Sequence, residues 1–240
     1  MTIHPIASSS KGNAYLVAQG SHALLIDCGV PCKRLNDFEF DAVLLTHDHV
    51  DHVKGLVPLL NSRDVPVYAN AMTADKVGVD LQLAPDAFYV FENAQEFEVA
   101  GFSVLPFPIP HDATDPVGYL VRSGGETYFH GTDIGSPLDS IGRMLAEADF
   151  ATLEANHDSV MLETSARPLS LKRRVAGPRG HLSNDDAAEL VRRFASPKLR
   201  KLYLAHLSHE CNAPHCALRT LSAALAEMGR GDVELELCGD

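Results

Sequence analysis

Four short apolar runs in this chain each pass without a break into histidines and acidic residues: AVLLTHDHVDH from Ala42, YFHGTD from Tyr128, FATLEANHD from Phe150 and LYLAHLSHE from Leu202. Short apolar runs bounded by polar chain read as buried strands. In layered α/β proteins, functional groups gather where such strands end. The four ends are therefore expected to converge on one site.

Further strand-like runs lie at 14–18, 23–26, 65–69, 88–91, 102–107, 117–121 and 233–237, and helical periodicity at 53–60, 141–148, 185–194 and 213–228. Asn184 and Asn212 are expected to cap the last two helices. Residues 167–180 read as the one loop with strong breaker chemistry. Strands and helices interleave, which predicts a layered α/β protein. A chain of 240 residues can bury roughly 70 to 75% of its unfolded surface in one core, so a single domain over 1–240 is expected. With 45% hydrophobic and 22% charged residues, the composition argues against disorder, collagen-like sequence or a coiled coil. No stretch approaches the roughly eighteen apolar residues that span a bilayer. MTIHPIASSSKG lacks a basic start and a following apolar run, so no secretory signal is read there. Five cysteines without framework spacing predict reduced thiols in a cytoplasmic protein.

The sharpest chemical signal is His47-Asp48-His49-Val50-Asp51-His52. Two imidazoles two residues apart point to one side of extended chain. A carboxylate and a third imidazole then follow as the chain turns into a helix. One metal cannot take all four donors comfortably, so the motif reads as a split set: His47 and His49 for one ion, Asp51 and His52 for a second. Such nitrogen and oxygen ligation suits Zn or Mn. His111, Asp133 and His206 stand at or just past apolar segments and are candidates to complete the two sites. His111 would finish the first, His206 the second, and Asp133 could bridge both through its two oxygens.

With these residues in place, the chain resembles the metallo-β-lactamase superfamily, whose THxHxDH hallmark stands here as Thr46 to His52. The opening IASSSKGNAYLV and the stretches HDATDPVGYLV, LEANHDSVML, LKRRVAGPRGHLSN and HLSHECN resemble its YycJ/WalJ branch. The turn from Ser8 to Asn13 departs from the branch's GSSGN-like turn in lacking its first glycine. The resemblance implies a four-layer αββα sandwich with the site at one edge and a DNA exonuclease that uses hydroxide held between two divalent ions. The alternatives it implies are a ribonuclease, as in ribonuclease Z, or a phosphodiesterase acting on small cyclic-nucleotide or ribose esters. Asp51 would orient the nucleophile. By resemblance to the phosphodiesterase cousins, His181 would donate a proton to the leaving alkoxide. Asn156, His157 and Asp158 match the branch's NHD element and are expected to support the ligands from behind. His209 and Asn212 are read in the same way. The pairs Cys28/Cys32 and Cys211/Cys216 are read as idle thiols.

Charge refines the substrate. The net charge is -12, which disfavours a protein that coats nucleic acid. Residues 167–201, however, hold ten basic against three acidic residues, a local +7 that contains His181. A cationic patch beside the proposed acid favours a phosphate-bearing substrate, either a nucleic-acid strand end or a small phosphodiester. A solvated helix face is the alternative reading of the same residues. No membrane partner is expected, and a homodimer stays open.

Overall fold

The computed structural model describes residues 1–239. The chain forms two compact units, Met1–Pro108 with Ala113–Gly125 and Ile109–Asp112 with Glu126–Cys238.

In the first unit, β1 (Thr2–Ser9), β2 (Gly12–Gln19), β3 (His22–Ile26), β4 (Ala42–Leu44), β5 (Val67–Asn70) and β6 (Phe88–Phe91) lie in that order in one sheet. β1, β2 and β3 are antiparallel, and the rest join in parallel. β3 reads HALLI and is buried from Ala23 onward, the continuous apolar run of a strand covered on both faces. β1 was not expected from the sequence because Pro5 and polar residues break its pattern. As an outer strand it tolerates that proline, where its pairing with β2 shifts register. β7 (Phe97–Val99), β8 (Phe102–Pro108) and β9 (Val117–Ser123) form an antiparallel set.

The helix expected at 53–60 is two helices, α1 (Val50–Val53) and α2 (Leu56–Ser62). They part at Gly55, whose N–H donates to the Cys28 carbonyl and where any Cβ would meet the Val30 oxygen at 2.1 Å. α3 (Ala71–Leu81) was not expected: Val77, Gly78 and Val79 are weak helix formers that hide its period. Asn70 caps it, accepting from the Thr73 N–H at 2.9 Å. Leu25, Val43, Leu45, Val53, Leu56, Leu59 and Val67 form the buried centre of this unit.

The second unit carries β10 (Glu126–Gly131), β11 (Phe150–Glu154), β12 (Lys201–Ala205) and β13 (Glu234–Leu237), all parallel, in the order β13-β12-β11-β10. Around them run α4 (Asp139–Leu145), α5 (Ser159–Thr164), α6 (Leu169–Val175), α7 (Asn184–Phe194) and α8 (Pro214–Glu227). α6 corrects the reading of 167–180 as a loop throughout. α7 buries Ala187, Ala188, Leu190 and Val191 and leaves Glu189, Arg192 and Arg193 outside. Its cap is Ser183, one residue before the expected Asn184. Ser183 and Asp186 form a reciprocal capping box. Asn184 is instead buried and pairs through its amide with Asn212. Asn212 is likewise displaced from its expected capping role: its Nδ2 binds the carbonyls of Ala155 and Asn156, ahead of an α8 that starts on Pro214.

Because β10, β11 and β12 are parallel and in register, their C-terminal ends lie side by side. Gly131 faces Leu153, Leu153 faces Leu204, and Glu154 faces Ala205. Three of the four histidine-bearing strand ends thus meet in this unit.

Candidate metal centre

In the first unit, β4 delivers the buried Thr46 and His47, and α1 begins directly after His49. The rings of His47 and His49 are 4.7 Å apart, and those of His47 and His52 are 4.0 Å apart. Asp51 Oδ2 lies 3.8 Å from His52 Nε2. The expected four donors therefore do gather. Asp48, between the histidines, is engaged elsewhere, its carboxylate accepting from the N–H and hydroxyl of Thr114 at 2.9 and 3.1 Å.

The residue that organises this cluster is Asp27, which sequence reasoning passed over. It follows β3 with a left-handed backbone, φ 61°, and its N–H donates to the Leu44 carbonyl of the parallel neighbour. Its carboxylate accepts from the Thr46 N–H and hydroxyl and from His52 Nδ1 at 2.7 Å. With the Thr46 proton committed to Asp27, the 2.9 Å contact from Thr46 Oγ to His47 Nδ1 requires that Nδ1 be the donor. Both His47 and His52 then carry the Nδ1 proton and present Nε2 as the basic nitrogen. That tautomer is the one a metal takes.

Asn13 lies against Asp51 and His52: its amide nitrogen donates to the Ser9 carbonyl at 3.1 Å and stands 3.3 Å from Asp51 Oδ2 and 3.0 Å from His52 Nε2. Close backbone approach leaves no room for side chains at Gly12, just before Asn13, and at Gly29. Gly12 sits at φ 152° with the Gly29 oxygen 2.3 Å from where a Cβ would be, and a Cβ on Gly29 would meet the Asp51 carbonyl at 1.6 Å.

In the second unit, His111, Asp133, His181 and His206 come together. Asp133 Oδ1 lies 3.3 Å from His206 Nδ1, 3.6 Å from His181 Nδ1 and 3.8 Å from His111 Nε2. One ligand-type atom each from Asp133, Glu154, His181 and His206 fits within 4.8 Å of the others. Asp133 and His206 hold left-handed φ values of 58° and 57°, a region that Asp and His enter more readily than other side chains apart from Asn. They stand just past the ends of β10 and β12, on either side of β11.

Glu154, at the end of β11, is the hub. Its Oε1 accepts from His181 Nδ1 at 2.8 Å and His206 Nδ1 at 3.0 Å, and its Oε2 from the N–H groups of Ile134 and Leu182 at 2.8 and 3.1 Å. A carboxylate offers about four acceptor positions, so those of Glu154 are filled. It orients histidines rather than binding metal itself. Burial alone would raise its pKa, but the His181 charge and the hydrogen bonds from both histidines prevail and hold it down, at about 2. His111 donates Nδ1–H to the Gly180 carbonyl at 3.0 Å, which again leaves Nε2 basic. His181 is 17% exposed at its side chain.

Asn156 holds the His206 carbonyl at 2.7 Å. His157 is buried, which pushes its imidazole pKa down, and Asp158 caps α5. His209 is exposed. The basic window is largely matched by acids from elsewhere in the chain. Arg167, Arg174, Arg192, Arg193, Arg200 and Lys201 pair with Glu210, Asp112, Glu227, Asp139, Glu126 and Glu234. Arg179 Nε donates to the His111 carbonyl at 2.8 Å, so the window reaches this cluster directly.

A signal for Asp27 was present in ALLIDCG, a further apolar strand that runs into an acid. Glu154 stands inside FATLEANHD, beside Asn156, His157 and Asp158.

A model of the beta-lactamase superfamily domain matches residues 21–207. The chain is 32% identical over 236 residues to exodeoxyribonuclease YycJ of Bacillus anthracis, covering 94% of this chain and 89% of that protein. The metallo-beta-lactamase fold protein YhfI from Bacillus subtilis superposes with a TM-score of 0.69 at 20% identity, over 99% of this chain and 95% of that one. A diphosphatase of the PhnP family superposes with a TM-score of 0.71 at 20% identity, over 99% and 94%.

Proposed function

The chain belongs to the beta-lactamase superfamily and, within it, to the family of the YycJ exodeoxyribonuclease, so it is a metal-dependent hydrolase, and we propose that it cleaves phosphodiesters at the end of a DNA strand. The observation that carries this reading is His181, braced by Glu154 in the same cluster as Asp133 and His206. Metal binding alone does not call for such a histidine. A phosphodiester whose leaving alkoxide needs a proton does.

The proposed ligands are His47, His49, Asp51, His52, His111, Asp133 and His206, for two divalent ions, Zn or Mn. The donors suit them: imidazoles and carboxylates, with Nε2 basic in His47, His52 and His111 by hydrogen-bond accounting. Divalent ions, when bound, supply Lewis acidity and bring the pKa of water toward neutrality. Asp51, beside Asn13, is proposed to accept a hydrogen bond from the attacking water and set its direction. His181 gives its Nε2 proton to the leaving oxygen while Glu154 stabilises the imidazolium through Nδ1. Arg179 would help hold the phosphate. We further propose that residues 1–240 act as one cytoplasmic hydrolase domain. Among the described residues, no helix is long and apolar enough to cross a membrane.

The ion-paired basic window favours a second reading, a small phosphodiester, because few of its charges remain for a long strand. Metal-loaded protein should be given a 5′-labelled DNA oligonucleotide, single- and double-stranded, beside a cyclic nucleotide. End-wise loss of the oligonucleotide, abolished by His49→Ala, supports the exonuclease. Turnover of the cyclic ester with an intact oligonucleotide supports the second reading.

A further inference from the structure

Away from the histidines, the first unit carries a ladder of stacked rings. Tyr89 stacks on Tyr68 at 5.2 Å between centroids, Tyr68 on Phe97 at 5.6 Å and Phe97 on Phe91 at 5.1 Å, with interplanar angles of 25°, 13° and 12°. A cavity of about 260 Å³ opens onto this ladder, lined by Tyr68, Tyr89 and Phe97 together with Glu92, Glu96 and Glu98. Tyr89 is 57% exposed. Glu96 is already engaged, by Arg122 and by the Ser103 hydroxyl at 2.6 Å. Glu92 and Glu98 are exposed. No lysine or arginine lines the cavity.

Aromatic faces attract cations through the ring quadrupole, and carboxylates beside them add charge and hydrogen-bond acceptors. The same carboxylates repel phosphate. The cavity is therefore a poor continuation of any nucleic-acid track. Its stacked rings also offer an apolar floor along which an alkyl stem can lie.

We infer that this cavity is a binding site for an organic cation, a guanidinium or ammonium group on an alkyl stem. Tyr68 and Tyr89 present their rings to the stem and the charge, and Glu92 and Glu98 accept the hydrogen bonds. The group could be carried by a free polyamine or by an arginine side chain, and the two are separated by experiment. The inference does not depend on the hydrolase reading.

The chain has no tryptophan, and Tyr68 and Tyr89 are two of its six tyrosines, so a change in tyrosine emission that Tyr89→Leu removes reports on the ladder. The full-length protein is titrated with spermidine, acetyl-arginine amide, neutral acetyl-norleucine amide and AMP, with calorimetry as a second readout. Saturable binding of either cation is expected, with no binding of the norleucine amide and no competition by AMP against the cation. The cation that binds more tightly identifies the source. Glu92→Gln with Glu98→Gln, and separately Tyr89→Leu, should each weaken that binding about tenfold while circular dichroism stays unchanged. Failure of both cations to saturate by about 10 mM, equal binding of the neutral amide, or unaltered affinity in the folded variants would overturn the inference.

Discussion

His52 Nδ1 lies 2.7 Å from Asp27 Oδ2, with both side chains fully buried. This contact ties the end of β3 to the THxHxDH segment. Through the Thr46 hydroxyl, it also settles which nitrogen of His47 carries the proton.

Asp27→Asn tests that linkage. Asparagine tolerates the left-handed backbone at φ 61°, so the turn survives. One carboxamide oxygen, however, cannot receive all the donors that converge on the carboxylate from Thr46 and His52. Affinity for Zn or Mn should fall about 10- to 100-fold with the fold intact. Competition against a chelator measures it, and an unchanged affinity would show that Asp27 does not govern the ligands.

Glu154→Gln should be costly to the fold as well. The new amide would set N–H groups against donors on the side that lost its acceptor. The expected loss is on the order of 3 kcal/mol, read from denaturant midpoints. The pH dependence has a definite sign. The folded pKa is depressed to about 2, so Glu154 contributes stability above the usual carboxylate range and loses it progressively as pH falls towards about 2. Between about pH 5 and pH 2 the wild-type chain should therefore lose stability more steeply than the glutamine variant.

The layered class and most strand positions could be read from apolar runs, because burial writes itself into composition over four or five residues. β1, with Pro5 inside it, and α3, with Gly78 and two valines, were hidden because their places come from tertiary pairing rather than local preference. Donor types in the site were equally readable, since few pressures other than chemistry place so many imidazoles together. Asp27 and Glu154 were not, because a carboxylate that orients a histidine differs in no local feature from one that caps a helix. Asp158 shows the converse, having the expected motif and a capping role. The net charge of residues 167–201 also misled in part, since a local sum cannot show that Glu126, Asp139 and Glu227 come back to neutralise it.

Arg173 and Arg192 separate the useful charge in that window from the neutralised charge. Arg173 is exposed on α6 and has no ion pair among the described residues, whereas Arg192 is bound to Glu227 at 2.7 Å. Arg173→Ala should raise KM for single-stranded DNA several-fold and reduce its salt dependence by about one unit of log-log slope. Arg192→Ala should leave both unchanged. Equal effects of the two would return the window to a solvated helix face.

Cys28 gives the last prediction. Its thiol is buried directly after Asp27. Burial, then the neighbouring Cys32 and Asp27, push its pKa up to about 12. A thiol this reluctant to ionise is a poor nucleophile. Iodoacetamide at about pH 8 should modify the partly exposed Cys32 and Cys238 first and reach Cys28 only on unfolding, a difference read by mass spectrometry of the digested chain. Linkage adds a second readout. In the unfolded chain Cys28 loses its proton near its ordinary pKa, about 8.5, while in the folded chain it keeps the proton to about 12. The folded state therefore binds more protons in that interval. Stability due to this thiol is full below the interval and declines by about 1.4 kcal/mol per pH unit within it. Cys28→Ala should flatten the alkaline arm of the stability profile by that amount, and a slope identical to wild type would show that the thiol ionises freely in the folded protein.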